Sequence, residues 1–403
     1  MAYHKITTIQ KILRMKIAIL TSGVLPIPAI QGGAVENLID LYLDYNERHY
    51  LHDITVYSIW HPDVPPSTLH PQPSTRYVFI KGKSLRAKLW KAVGRMMRRK
   101  GFYHDSIEYF LYEALRQIKK EHYDLIVVEN RPGYALTLSR QCSVPCVLHL
   151  HNDFLYRGAD HVEEICSTFR RIISVSDYIT NRVKEVCEDK EKCITVHNAI
   201  NVEAFHAATP IRRSEIGLAD DDFVLVFSGR LIPEKGILQL IQAMNILRHI
   251  PRLKLLIIGA SAYGKKQSPT PFTQQLQQEA KALEGNVVFT GFIDYKDVPS
   301  YLKLADVAVL PSMWEEPFGL TVLEAMAAGV PLITTQSGGI PEICEGVASL
   351  VSHEKIVEQL TTAILDLYEH PEKRRQMTQA SLEQSKLFDK DTYARNFFDA
   401  IQS

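Results

Sequence analysis

Twelve short apolar runs, each four to eight residues long and separated by stretches of helical character, recur along this 403-residue chain. Runs that are apolar on both faces belong to strands buried between two layers, which is the situation of parallel sheets. Seven runs, at 16–23, 54–60, 77–80, 124–129, 145–151, 172–176 and 193–198, predict a mostly parallel sheet covered by helices. Five more, at 223–229, 253–259, 286–291, 306–312 and 331–335, follow the polar stretch 205–221 and predict a second unit of the same kind. Helices are expected at 236–249, 320–329 and 354–384, and an aromatic stripe of Tyr393, Phe397 and Phe398 marks another near the C-terminus. At 45.8 kDa the chain exceeds one ordinary core, so two α/β domains are expected. Open α/β sheets bind ligands outside the carboxyl ends of their strands, and two facing sheets make a cleft there.

Composition narrows the function classes. Lys plus Arg and Asp plus Glu are both 46, so no global field attracts nucleic acid and none is expected as a partner. The six cysteines are scattered and form no tight CxxC pair, which fits a reduced, cytoplasmic setting rather than a structural zinc site. Residues 1–14 carry no long apolar core and read as a flexible arm, with the first strand beginning after Met15.

The strongest local signal is EEPFGLTVLEAMAAGVPLITTQSGGIPE at 315–342. Gly319 precedes a helical run, whose first turn offers unpaired amides and partial positive charge to a diphosphate. Glu316 and Glu324 would repel that phosphate, so both suit hydroxyl recognition. An amphipathic helix with two solvated glutamates is the plain alternative, which the placement between two strand runs disfavours. In FSGRLIPEKGI at 227–237, Arg230 and Lys235 follow a strand and can neutralise a leaving diphosphate, although loop basicity alone explains them equally well. Gly32 and Gly33 precede a helix and suit a narrow backbone wall or an ordinary turn; Glu36 beyond them reads as solvated or capping. HLHND at 149–153 ends a strand. Either His151 or His149 can donate to a sugar hydroxyl, since residues two apart share a sheet face. Asp153 reads as structural or as an acceptor-orienting group.

Together GGAVE, HND, SGRLIPEKG and EEPFGLTVLEAMAAGVPLITTQSGG resemble retaining glycosyltransferase family 4, with the GT-B fold, over nearly the whole chain from Met15. The opening strand and helix resemble its spore-coat and surface-polysaccharide branch. The resemblance implies a nucleotide-sugar cosubstrate, UDP-linked, with no obligatory cofactor or metal. By it, Arg230 and Lys235 hold the diphosphate, Glu324 the ribose, and Glu316 with Phe318, Gly319 and Leu320 the sugar and phosphate. Gly32 and Gly33 line the cleft, and His151 matches the histidine near the transferred sugar, although Asn152 replaces the family's usual glycine after it. It further implies an acceptor-side domain at 15–204, a donor domain at 205–385 and a final helix, 386–403, crossing back to the first domain.

The acceptor side is less sharply marked. Residues 81–100 carry nine Lys or Arg, with Leu85, Leu89, Val93, Met96 and Met97 near helical spacing and Trp90 beside them. Such a helix suits an anionic membrane surface, and packing onto the first domain suits it equally. At 259–275, Gly259 is a candidate donor contact; Tyr263, Lys265, Lys266 and Phe272 are acceptor contacts or members of a polar surface loop. Two other readings share the fold: a coat or surface scaffold that has lost turnover, and a UDP-sugar 2-epimerase.

Overall fold

The computed structural model describes residues 14–69, 73–84, 86–90, 102, 104–261 and 270–403. Strands β1 (Lys16–Leu20), β2 (Asp53–Ile59), β3 (Thr75–Ile80), β4 (Leu125–Glu129), β5 (Cys146–Leu150), β6 (Arg171–Ser174) and β7 (Cys193–Thr195) form one sheet in the order β3-β2-β1-β4-β5-β6-β7. Strands β8 (Phe223–Ser228), β9 (Leu253–Ile258), β10 (Val287–Gly291), β11 (Val307–Leu310), β12 (Leu332–Thr335) and β13 (Ser349–Val351) form a second in the order β10-β9-β8-β11-β12-β13. All registered pairs are parallel. In each sheet the order reverses beside the first strand, between β1 and β4 and between β8 and β11. Those are the crevices where ligands sit in doubly wound sheets.

Twelve of these strands overlap the twelve apolar runs, with β2, β3 and β6 beginning one or two residues ahead of theirs. The exception is β13, whose three residues, two of them half-buried, are too few to show a period. The run at 306–312 gives a strand only over Val307–Leu310, because Pro311 has no N–H for the ladder. The single helix expected at 354–384 is two, Ile356–Glu369 and Pro371–Ser385. Pro371 starts the second, where its missing N–H costs nothing, and its ring cannot continue the first.

The chain crosses between the sheets twice, and the crossings touch. Ile200 N–H donates to Phe388 O at 3.2 Å and Lys390 N–H donates to Ile200 O at 3.0 Å. Helix Lys390–Gln402 follows the second sheet yet packs on the first, against helix Ala34–His49. Phe397 stacks on Tyr42 with centroids 4.3 Å apart, Phe398 meets Tyr42 edge-on at 6.1 Å, and Arg48 pairs with Asp391 at 2.5 Å.

Several expectations lie outside the described residues: the arm over residues 1–13, most of 81–100 including Leu85, Val93, Met96 and Met97, and Tyr263, Lys265 and Lys266. Within the described part of 81–100, Leu89 is exposed and Trp90 packs edge-on to Tyr109 at 6.0 Å. Among the described residues no helix is long and apolar enough to cross a membrane.

Phe397→Ala removes the fully buried ring that stacks on Tyr42 and helps seat the final helix there. It is expected to cost about 3–5 kcal/mol in chemical denaturation and to speed amide exchange over residues 390–402 selectively.

Candidate active site

The second-domain half of the site grows from the ends of β8 and β11. Lys235 Nζ lies 2.5 Å from Glu316 Oε1, and Ser312 Oγ donates to the same oxygen at 2.7 Å. The ammonium also stands 5.7 Å from the centroid of the Trp314 ring. Gly236, on the turn after Lys235, has φ 70°, and a Cβ there would lie 1.8 Å from Pro311 O, so only glycine brings the two loops this close. The turn after β11 is pinned from behind: Ser312 O accepts from Thr335 Oγ1 at 2.8 Å and from His353 Nε2 at 3.0 Å.

Lys235 and Glu316 share a small pocket with Ser228, Ser312, Gly319 and Thr321. Three separated segments therefore meet at the β8/β11 switch point. Gly319, at φ 108°, precedes helix Leu320–Ala327, and no side chain caps its first turn. Phe318 is buried beneath, 5.8 Å from Phe388, while Leu320 packs against the cores of both domains. Glu324, one turn into the helix, is buried beside Tyr295, which bonds its carboxyl. Burial pushes that carboxyl up to about 7, against the lowering pull of the Tyr295 bond and of Lys235. A larger hollow of about 460 Å³ lies elsewhere, beyond β10, between Ile211, Phe292 and Tyr301. Its lining carries Asp294 and Asp297 and no cation, which is the wrong charge for a diphosphate.

The loop 336–342 closes this half and reaches the other. Gly339 N–H donates to Glu316 O at 2.8 Å, and a Cβ on Gly338 would lie 2.2 Å from that same carbonyl. Glu342 then crosses to the first domain, where it accepts from the backbone N–H groups of Asp177 at 2.7 Å and Tyr178 at 2.6 Å and pairs with His197 at 3.0 Å. A carboxylate so placed compensates the positive end of helix Asp177–Lys184.

In the first domain the two glycines differ. Space around Gly32 is open, whereas a Cβ on Gly33 would meet Glu36 Oε2 at 2.2 Å, so Gly33 serves the packing of Glu36. Glu36 is buried rather than solvated, and burial lifts its carboxyl to about 7, helped by nearby Glu129. Gly259 likewise has a packing reason, since a Cβ there would fall 1.9 Å from Gly229 O. Asp153 pairs with Arg182 at 2.6 Å.

His149 and His151 share one sheet face, with ring centroids 4.1 Å apart, and both meet Glu129. Glu129 was not singled out in the sequence because it looks like the polar end of an apolar run. Its partner spacing, two histidines on the neighbouring strand, exists only in three dimensions. Burial lowers His151 to about 4, so the ring is neutral and its Nε2 proton is spent on Glu129 at 3.1 Å. It does not have that proton to donate to a sugar. Among the described residues two trios bring possible ligand atoms within 4.8 Å of one another: Glu129 with His149 and His151, and Asp177 with His197 and Glu342. Hydrogen bonds within the protein already engage the carboxylates of both. Arg230, at the end of β8, is engaged with neighbours of its own.

Glu36 holds its proton longer folded than unfolded, so its favourable contribution is full below pH 4.5 and is lost as pH rises through about 7. Glu36→Gln is expected to flatten the fall in Tm between pH 5 and pH 8, recovering about 3 kcal/mol at most at the upper end. An unchanged slope would show that the carboxyl is not desolvated.

Residues 209–384 match the family model "Glycosyl transferases group 1", and residues 48–204 match "Glycosyltransferase Family 4". Spore coat protein SA of Bacillus subtilis is 29% identical over 379 residues, covering 90% of this chain and 92% of that protein. The lipopolysaccharide 1,2-N-acetylglucosaminetransferase of Salmonella typhimurium is 27% identical over 260 residues, 61% of this chain and 65% of its own. Anabaena Alr3699/HepE in complex with UDP and glucose has the same fold, with a TM-score of 0.70 at 20% identity over 97% of this chain and 100% of that one. Matched in both halves and built on two facing parallel sheets, the chain belongs to glycosyltransferase family 4 and has the GT-B fold.

Proposed function

We propose that this protein is a retaining, metal-independent glycosyltransferase that moves a sugar from a UDP-sugar to a hydroxyl of a glycan, lipid-linked or surface-polysaccharide acceptor. The observation that carries the reading is the pocket at the β8/β11 switch point, where Lys235, Glu316 and Gly319 converge. Arg230, Lys235 and the uncapped first turn after Gly319 offer a seat for the diphosphate. Both bonds to Glu316 fall on Oε1, so Oε2 is the oxygen that a sugar hydroxyl meets. Glu324, ionised, accepts from the ribose diol.

Transfer then proceeds on one face of the sugar. The bond from C1 to the diphosphate oxygen breaks, the acceptor oxygen bonds C1 from the same side, and its proton passes to the departing phosphate. Lys235 and Arg230 neutralise charge as it develops on that phosphate, which lowers the barrier most in a site emptied of water. Retention needs no carboxylate pair flanking the bond, so Glu316 and Glu324 serve recognition. The two Asp-x-Asp strings of the sequence, at 220–222 and 389–391, do not line the β8/β11 pocket, which favours transfer without a divalent ion.

Relatives differ in nucleotide. The Escherichia coli relative at 26% identity is named for UDP-Gal and a diphosphoundecaprenol acceptor, and the Corynebacterium glutamicum relative at 30% over 214 residues for GDP-mannose. UDP is preferred here for its presence in the HepE complex, whose likeness covers 97% of this chain. A scaffold without turnover is the second reading, favoured by the likeness to a spore coat protein.

A ligand-detected NMR titration with UDP-, GDP-, ADP- and dTDP-sugars separates these readings. Selective binding of a UDP-sugar is expected, weakened at least about tenfold in both Arg230→Ala and Glu324→Ala and unchanged by EDTA. No binding across the panel at millimolar ligand would favour the scaffold. Affinity for the UDP-sugar is further expected to rise between pH 6 and pH 8 as Glu324 ionises near 7, by about tenfold per pH unit at most, and that limb is expected to vanish in Glu324→Gln.

A further inference from the structure

Helix Asp177–Lys184 of the first domain makes its first internal bond from Thr180 N–H to Ser176 O at 2.9 Å, so the amides of Asp177, Tyr178 and Ile179 need partners outside its ladder. Ser176 Oγ accepts from Ile179 at 3.1 Å. The other two amides are met from the second domain, each by its own oxygen of Glu342: Oε2 lies 2.7 Å from Asp177 N and Oε1 2.6 Å from Tyr178 N. His197 Nε2 adds a third contact, 3.0 Å from Oε2. The His197 ring stands 5.7 Å from Phe388, whose carbonyl accepts from Ile200 N–H, so the contact lies beside the two chain crossings. Points close to a hinge move least when two bodies turn about it, and a carboxylate there can stay docked while the far side of the cleft opens. The same loop touches the donor seat a few residues earlier. Gly338 N–H donates to Glu315 Oε2 at 2.5 Å and Gly339 N–H to Glu316 O at 2.8 Å. A Cβ on Gly339 would lie 2.7 Å from Pro317 O on one side and 3.0 Å from Ser176 Cβ on the other, so the loop is pressed between the donor segment and the first domain.

We propose that Glu342 is a positioning residue and the pivot between the domains: anchored on the start of helix Asp177–Lys184, it holds Glu316 and the helix start at Gly319 in register with the first domain as the cleft opens and closes. Two N–H donors met by two carboxylate oxygens fix direction as well as distance, which a single bond does not. A misplacement of about 1 Å at the seat costs on the order of 100-fold in rate, while contacts to the donor made wholly within the second domain survive it. The anchor stands on the structure alone, and its use in transfer rests on the transferase reading.

Hydrogen exchange of the full chain, read by mass spectrometry on peptides spanning residues 176–180, tests the anchor. The wild type is expected to protect the amides of Asp177 and Tyr178 both with and without the UDP-sugar chosen by titration, and Glu342→Ala to lose at least about tenfold of that protection. Release of UDP from the same donor, with water as the acceptor, tests the use of the anchor. In Glu342→Ala kcat is expected to fall about 10- to 100-fold while the donor Kd stays within about twofold. Glu342→Gln keeps one acceptor oxygen for two amides and is expected to lie between the two proteins in exchange and in kcat. Amides unprotected in the wild type, or protected only with donor or only without it, overturn the proposal. So does a Glu342→Ala protein with unchanged kcat, or one whose donor Kd weakens as much as its kcat falls. Should Glu342→Ala fail to fold, Glu342→Gln decides by the same readouts. Should no donor bind the wild type, the transferase reading fails, while exchange in the wild type and the variants still decides whether the anchor exists.

Discussion

Parallel pairing of strands is the constraint from which the rest of this molecule follows. Parallel neighbours cannot be joined by a tight turn, so each pair needs a crossover, and right-handed crossovers put helices on both faces. All the loops at the carboxyl ends of β1–β7 then fall along one edge, and those of β8–β13 along another. With the two edges facing, Gly32, Gly33 and His151 stand on one side and Lys235, Glu316 and Gly319 on the other. The contact of Glu342 with the start of helix Asp177–Lys184 ties these edges directly.

Charge inside the cleft is handled in three ways. Glu316 is paired, with Lys235 and Ser312 on one oxygen, and so keeps a second oxygen for a ligand. Glu129 is saturated by three donors and is fixed in its ionised state. Among the described residues no cation pairs with Glu36 or Glu324, and burial carries both to about 7. These carboxyls exchange protons near neutrality at little cost, which suits groups that meet neutral hydroxyls beside a charged phosphate. Desolvation is therefore not uniform among these carboxyls.

The final helix joins the two domains in a way that the strand pattern alone does not express. It leaves the second sheet beside the first crossing, at Ile200 and Phe388, and seats Phe397 on Tyr42. Tyr42 in turn donates to Glu129, so the helix that closes the chain also roofs the histidine pair. Packing of the C-terminus is thus linked to the cleft through two side chains.

The apolar runs determined twelve strands and the parallel α/β class, because burial on both faces writes itself into composition residue by residue. Gly319 marked the start of one helix through its own backbone geometry, whereas the break at Pro371 was not read from the sequence. The string from 315 to 342 also singled out the carboxylates and the helix start that we propose as the donor seat, since neighbours along the chain remain neighbours there. Pairings across strands were invisible to such reading. Glu129 between two histidines and Glu342 across the cleft depend on residues far apart in sequence. The tertiary structure alone decided them, because burial and hydrogen bonding are properties of what surrounds a side chain and not of its type.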